Sequence, residues 1–187
     1  MAIVYANGKS PDDVAERLRA MRTRAGQLAP VMKQATIEVQ KMISDGFRSS
    51  VGPGGDRWAP NAPSTIRAKG SAKPNIDIAT LKDSIAVAVI AAGQGISFGT
   101  NVPYAGPVQW GHTRSGKLKN TSYTNGVNRE KGTAWTTTTV ARAFLPFLRD
   151  GSLMQTGRAL RVFGTITKMV ASYISTGKLE DLDEETP

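Results

Sequence analysis

The eight residues Gly111-His112-Thr113-Arg114-Ser115-Gly116-Lys117-Leu118 come within one residue of a phosphate-binding loop. Such a loop runs glycine, four residues, glycine, lysine, then serine or threonine. Glycine amides cradle the phosphates, the lysine neutralises them and the hydroxyl binds magnesium. Leu118 takes the place of the hydroxyl. A working loop also leaves a buried strand and opens a helix whose N-terminus faces the phosphates. Pro107-Val108-Gln109-Trp110 makes a poor buried strand, and Lys119-Asn120-Thr121-Ser122 with Gly126 close behind makes a poor helix. The stretch reads as part of a basic loop rather than a nucleotide site.

Other chemistry is equally thin. His112 is the single histidine, and nucleophilic catalysis would need a serine and an orienting aspartate to meet it in space. Asp45, Asp56, Asp77, Asp83, Glu130 and Asp150 are the carboxylates open to acid–base work, and none stands in a recognisable context. The absence of cysteine removes disulfides, thiol nucleophiles and thiolate metal sites together. No catalytic residue, no cofactor site and no metal site is predicted.

Charge says more. The chain has 24 Lys and Arg against 15 Asp and Glu, but Glu180, Asp181, Asp183, Glu184 and Glu185 crowd the last eight residues. Residues 1–178 therefore hold 24 basic and 10 acidic groups, +14, ahead of an acidic tail over 179–187. A body that basic attracts polyanions: nucleic acid, an anionic lipid surface or an acidic protein. Arg17, Arg19, Arg22 and Arg24 make either a phosphate-contacting helix face or a solvated one. Arg114, Lys117, Lys119, Arg129 and Lys131 charge one loop, where Tyr123 is the lone aromatic. That pattern suits passing DNA or an acidic partner and argues against reading of base edges. No run approaches the roughly 20 apolar residues of a membrane span, and residues 1–20 lack the apolar core of a signal peptide, so no membrane partner and a cytoplasmic origin are expected.

The elements that position these residues can be read from spacing. Ser10-Pro11-Asp12-Asp13 is a helix start. Val14, Leu18, Met21, Ala25 and Leu28, then Met32, Ala35, Val39, Met42 and Ile43, continue at helical spacing to about Phe47, with Pro30 kinking or splitting the helix. Residues 50–75, rich in proline and glycine, form an irregular arm anchored by Trp58. A helical turn at Thr80 to Ser84 leads to a hairpin of Ile85–Ala91 and Ile96–Thr100. Residues 111–132 read as a long loop, and Thr133–Val140 as a strand returning to the sheet. Asp150 or Ser152 caps a last helix with Leu153, Leu160, Phe163, Ile166, Val170, Tyr173 and Ile174 on its apolar stripe, closed near Gly177. The expected fold is α+β: a small antiparallel sheet with a long N-terminal helix and a C-terminal helix packed on it, in a single domain over 1–178.

Three segments, in order, resemble one family. Gly46-Phe47 followed by Pro53-Gly54-Gly55-Asp56-Arg57-Trp58-Ala59-Pro60 is similar to the helix end and P-x-G-x-x-W-x-P arm of the phage virion morphogenesis family, which covers Mu-type G proteins and tail completion proteins. Leu81-Lys82-Asp83-Ser84-Ile85, Gly99-Thr100-Asn101-Val102-Pro103-Tyr104-Ala105 and Gln109-Trp110-Gly111 resemble its L-x-x-S-I, G-T-x-x-x-Y-A and H-Q-x-G signatures. Ala141-Arg142-Ala143-Phe144-Leu145 resembles its A-R-P-F-L. Val108, Ala79 and Ala143 stand where the family commonly has His, Gly and Pro.

The resemblance implies a non-enzymatic virion protein of a tailed phage, assembled in the host bacterial cytoplasm and placed at the head–tail junction. Such a protein works as a homo-oligomeric ring, a hexamer or dodecamer, between head–tail connector and tail proteins, with non-specific contact to passing DNA. A nucleic-acid-binding protein acting alone is the competing expectation. Under the first, Trp58 anchors the arm on a neighbouring subunit or tucks back onto its own domain. Tyr104, Gln109 and Trp110 pack the root of the long loop or meet the next subunit. Arg142, ahead of Phe144, pairs with a carboxylate that ties the last strand to the last helix.

Overall fold

The computed structural model describes residues 10–74, 80–90, 93–124 and 127–179; the acidic residues from Glu180 onward and Ala91-Ala92 of the hairpin connection lie outside that range. Helix α1 (Pro11–Ala25) begins where its sequence dictates. The Ser10 hydroxyl accepts from the Asp13 N–H at 3.2 Å, and the Asp13 carboxylate accepts from the Ser10 N–H at 2.9 Å, a closed capping box. Pro30 falls in the first turn of α2 (Ala29–Ser49), where its missing N–H costs nothing, so the proline splits the pattern into two helices. Val31, Met32, Ala35, Val39, Met42, Ile43 and Phe47 make one buried stripe along α2, which runs two residues past Phe47.

The arm is more ordered than its composition suggests. Val51 bridges Arg57, helix α3 (Pro63–Lys69) starts on a proline and stops on left-handed Gly70, and the Asn61 amide donates to the carbonyls of Ser71 and Lys73. Helix α4 (Thr80–Asp83) buries Leu81. Strands β1 (Ala86–Val89) and β2 (Ile96–Gly99) form the expected antiparallel hairpin, with Ala86 opposite Gly99 and Val89 opposite Ile96. Helix α5 (Ala105–Trp110) occupies the stretch that was too poor for a buried strand.

The span 111–132 departs from expectation. Strand β3 (His112–Lys117) pairs along its whole length with β6 (Ala134–Thr139), and β4 (Ser122–Thr124) pairs with β5 (Val127–Arg129) between them. The segment is a β ribbon instead of a loop, and β6 returns to β3 rather than to the β1–β2 pair. Among the described residues the strands form three two-stranded pairs, not one sheet. The ribbon escapes a periodicity search because most of its residues on both faces are exposed, so no apolar alternation marks it.

Thr156, not Asp150 or Ser152, holds the N-cap position of helix α6 (Gly157–Thr176), and its side chain makes no capping hydrogen bond. The Asp150 carboxylate instead accepts from the Ser152 N–H at 2.9 Å and from the Ser152 hydroxyl at 2.6 Å, closing a turn beside the Phe147–Leu153 bridge. Gly177 ends α6 in the left-handed conformation, as its position predicts. Ala159 and Met169 are the buried positions of α6, with Phe163, Ile166, Val170 and Tyr173 packed partly buried around them, while Leu160 and Leu153 are exposed.

Two clusters make the core. Val39, Met42, Ile43, Phe47, Trp58, Leu81, Ala105, Phe144, Leu145 and Ala159 form the larger, and Val31, Met32 and Met169 the smaller. The start of α6 thus meets the end of α2 and the end of α6 meets the start of α2, so the two helices lie antiparallel. One pole of the molecule carries the arm and the ribbon root. The other carries the α1–α2 junction and the C-terminal end of α6, where the Arg24 guanidinium donates to the carbonyls of Ile174 and Ser175.

Candidate assembly interface

The arm, α5 and the segment after β6 meet at one pole, and most of the predicted interface residues knit them together internally. Trp58 is 7% exposed; its ring stands edge-on to Phe47 at 5.2 Å, and its Nε1–H donates to the Ala143 carbonyl at 2.7 Å. Of the two roles open to Trp58, the tucked one is observed. A buried indole finds a partner for its N–H, and here that partner is the backbone next to Phe144, itself 2% exposed with its ring 5.9 Å from that of Phe47.

Gln109 is a buried clamp. Its Oε1 accepts from the N–H groups of Phe144 and Leu145 at 2.9 and 3.0 Å, and its Nε2 donates to the carbonyls of Leu145 and Phe147 at 3.0 and 3.3 Å. One primary amide has two donors and two acceptor lone pairs, so every bonding site of this side chain is used on Phe144–Phe147. The sequence ARAFLPF has no regular secondary structure and needs such an external partner for its backbone.

Arg142 corrects another expectation. Its partners are backbone carbonyls, not a carboxylate: Nε donates to Ala59 at 2.8 Å and a terminal nitrogen to Pro60 at 3.0 Å. These bonds tie the segment after the last strand to the arm. Burial lowers the Arg142 pKa from the ordinary value, and the carbonyl oxygens supply the acceptors a desolvated guanidinium requires. Only Tyr104 and Trp110 of the six interface candidates remain substantially exposed, at 48% and 39%, with the Trp110 ring 5.8 Å from Phe147. An open groove of about 770 Å³ runs between the arm and β6, with Thr65, Lys69, Tyr104, Thr137, Thr139 and Arg142 on its walls.

The ribbon stands on this base. Gly111 at its root has φ +67, and a Cβ there would lie 2.7 Å from the Thr139 carbonyl oxygen, so only glycine fits. One face presents Thr113, Ser115 and Lys117 opposite Thr138, Thr136 and Ala134; the other presents His112, Arg114 and Gly116 opposite Thr139, Thr137 and Trp135. Trp135 lies over Gly116, where a Cβ would come within 3.0 Å of the ring. Arg114, Lys117, Lys119, Arg129 and Lys131 are all exposed.

Nothing in this geometry is a phosphate cradle: Gly116 and Lys117 belong to a paired strand, and no helix follows them. His112 faces Thr139 in the ladder. Among the described residues no group of three His, Asp or Glu side chains could hold a metal ion, and no helix is long and apolar enough to cross a membrane. The threonine rows flanking the basic residues were missed from sequence. Their one signal was the β-branched run Thr136–Thr139, whose partner strand has too little apolar character to reveal itself.

A family model described as the phage virion morphogenesis family matches residues 10–163 of the chain. The chain belongs to the phage virion morphogenesis family. Comparison with curated proteins and with solved structures gives no match. Virion morphogenesis is structural work, and the matched span takes in the arm, Gln109, the ribbon and Arg142, together with the first turns of α6. Within the matched span, Trp58, Gln109 and Arg142 hold the arm, α5 and the final segment to one another.

Proposed function

We propose that this protein is a neck component of a tailed phage, a tail completion or head–tail joining protein that assembles as a homo-oligomeric ring and has no enzymatic activity. The observation that carries the reading is the exposed, basic ribbon mounted on a base whose polar side chains are spent internally. Gln109, Arg142 and Trp58 hold the root, so the ribbon is presented from a fixed point. An element of that kind suits head-to-tail contact with a neighbouring copy, the geometry that closes rings. Tyr104 and Trp110, exposed near the root, are the aromatic side chains available to such a contact. The lysines and arginines of the ribbon would meet passing DNA through non-specific phosphate attraction.

The test is native mass spectrometry of the purified chain with electron-microscopy reconstruction of the virion neck. Closed rings of one stoichiometry, and density for the chain between head and tail, are expected. A chain that stays monomeric and is missing from the virion overturns the reading. Tight duplex-DNA binding by the monomer, with a steep salt dependence, favours the competing role as a nucleic-acid-binding protein; the five exposed basic residues of the ribbon are what keep that role in view.

A further inference from the structure

The turn between the Phe144–Phe147 segment and α6 is built as a knob. The Leu148 N–H donates to the Ser152 carbonyl at 2.7 Å and the Gly151 N–H to the Leu148 carbonyl at 3.0 Å, with Gly151 at φ +86, and Phe147 bridges Leu153. The Asp150 carboxylate fastens the same turn through Ser152. Asp150, Gly151 and Ser152 are ordinary turn residues, but the turn also holds Leu148 outward, 47% exposed, with Leu153 exposed beside its base. The Phe147 ring lies 5.8 Å from that of the exposed Trp110. A pre-formed apolar cluster with an aromatic anchor and a charged rim, Arg149 and Asp150, has the composition of a contact surface.

Helix α5 separates this knob from the groove between the arm and β6. Ala105 and Gln109 are the buried positions of α5. Tyr104 and Val108, one turn apart, line the groove, whereas Trp110, two residues past Val108, lies about 200° further round the helix axis. Knob and groove therefore flank α5 on opposite sides. The groove has apolar walls in Tyr104, Val108 and Val140, the last 53% exposed. Its charged lining residues, Lys69 and Arg142, are both basic, and the knob carries the exposed Asp150 in the middle of its turn. A convex leucine-bearing turn with an acid near its tip matches a concave apolar slot lined by bases in both shape and charge. Because α5 stands between them in one chain, the match is one between copies.

We propose that the Phe147–Leu153 turn of one copy seats in the arm–β6 groove of the next, placing Leu148 and Leu153 against Tyr104, Val108 and Val140 and the Asp150 carboxylate toward Lys69 and Arg142. The two surfaces differ and lie on opposite flanks, so the contact is heterologous and repeats in one direction, the kind that closes rings. The inference rests on the ring reading above and assigns its two faces.

The chain has no cysteine, so single-cysteine variants report contacts between copies with no intramolecular disulfide. Leu148→Cys and Val140→Cys chains of different tagged mass are mixed and oxidised; a seated turn brings the two thiols to bonding distance. The disulfide between positions 148 and 140 should form about tenfold faster than 148 with 148, 140 with 140, or 140 with Ile37→Cys, Ile37 being exposed on α2. Asp150→Asn keeps an oxygen acceptor for Ser152 and removes the charge. Added to the Leu148→Cys chain, it should slow the 148–140 disulfide by about two- to fivefold, the loss expected for an exposed ion pair. In native mass spectrometry Leu148→Asp should be monomeric while keeping the urea midpoint of the parent, and Ile37→Asp should assemble as the parent does. Rings that form without the 148–140 disulfide, or that survive Leu148→Asp, overturn this inference and leave the ring reading standing; a groove filled by residues 75–79 of the same chain gives the first of these results. Disulfides mainly between like positions overturn it by making the contact isologous, and so does a rate indifferent to Asp150→Asn. A parent chain that stays monomeric overturns the ring reading and the inference with it.

Discussion

Replacing Gln109 by alanine removes a side chain that is 3% exposed and holds four backbone groups. The Phe144 and Leu145 N–H groups lose their acceptor, and the Leu145 and Phe147 carbonyls lose a donor. A buried donor left without a partner costs about 1–3 kcal/mol, and carbonyls tolerate the loss better. Two orphaned donors therefore put the loss at about 4 kcal/mol, a large part of the roughly 5–15 kcal/mol that stabilises a domain. For a chain of this size that corresponds to a fall in Tm of about 10 °C. Equilibrium denaturation in urea is the assay, with the midpoint falling and the slope m unchanged if the native and unfolded states keep their compactness. Gln109→Glu sharpens the test. A carboxylate retains the two acceptors but faces two carbonyl oxygens without a donor, so its pKa rises in the folded state. The folded state then binds the extra proton, and stability recovers as the pH falls. Losses under about 1 kcal/mol for Gln109→Ala, or a Gln109→Glu variant whose stability does not respond to acid, would refute the clamp.

Trp58→Phe keeps a ring against Phe47 but deletes the Nε1–H bond to Ala143, and should cost about 1–2 kcal/mol; Trp58→Ala should cost about 3–5 kcal/mol. Both losses should appear in the unfolding of the monomer; a Trp58→Ala chain as stable as the parent but unable to assemble would return Trp58 to the subunit interface. The Asp150 carboxyl lies below its usual pKa, chiefly through the Ser152 hydroxyl and then the Ser152 N–H. A lowered carboxyl stabilises the turn above its unfolded pKa, and that contribution is lost as the pH falls through the folded one. Carbon-detected titration should find Asp150 ionised below the ordinary aspartate range in the parent chain and shifted back up in Ser152→Ala. An unshifted Asp150 in the parent would show the turn to be open in solution.

The long helices were legible because their signals are local, whereas α3 lies in the stretch read as an irregular arm and α5 in one where no helix was expected. Ser10-Pro11, the α2 stripe and Gly177 each state a boundary or a face within one or two turns. The β1–β2 hairpin was legible for the same reason. The ribbon was not, since His112–Lys117 becomes a strand by pairing with residues some twenty positions away and carries no apolar alternation of its own. The roles of Gln109, Arg142 and Trp58 were half legible: their importance showed in the family signatures, but their partners are main-chain atoms of Ala59, Pro60, Ala143 and Leu145, and backbone acceptors leave no mark in a sequence. The cap of α6 was misplaced because Asp150 and Ser152 satisfy each other, an alternative that short polar side chains always offer.

The root of the ribbon has a mechanical side. The Arg142 N–H donates to the Val108 carbonyl and its guanidinium to the arm, Gln109 grips Phe144, Leu145 and Phe147, Trp58 holds Ala143, and the Ala159 N–H of α6 donates to the Pro53 carbonyl of the arm. A tug on the ribbon meets these attachments together and is passed through the arm into α6. They share the load in parallel, so the base resists as a unit up to a threshold instead of peeling one bond at a time.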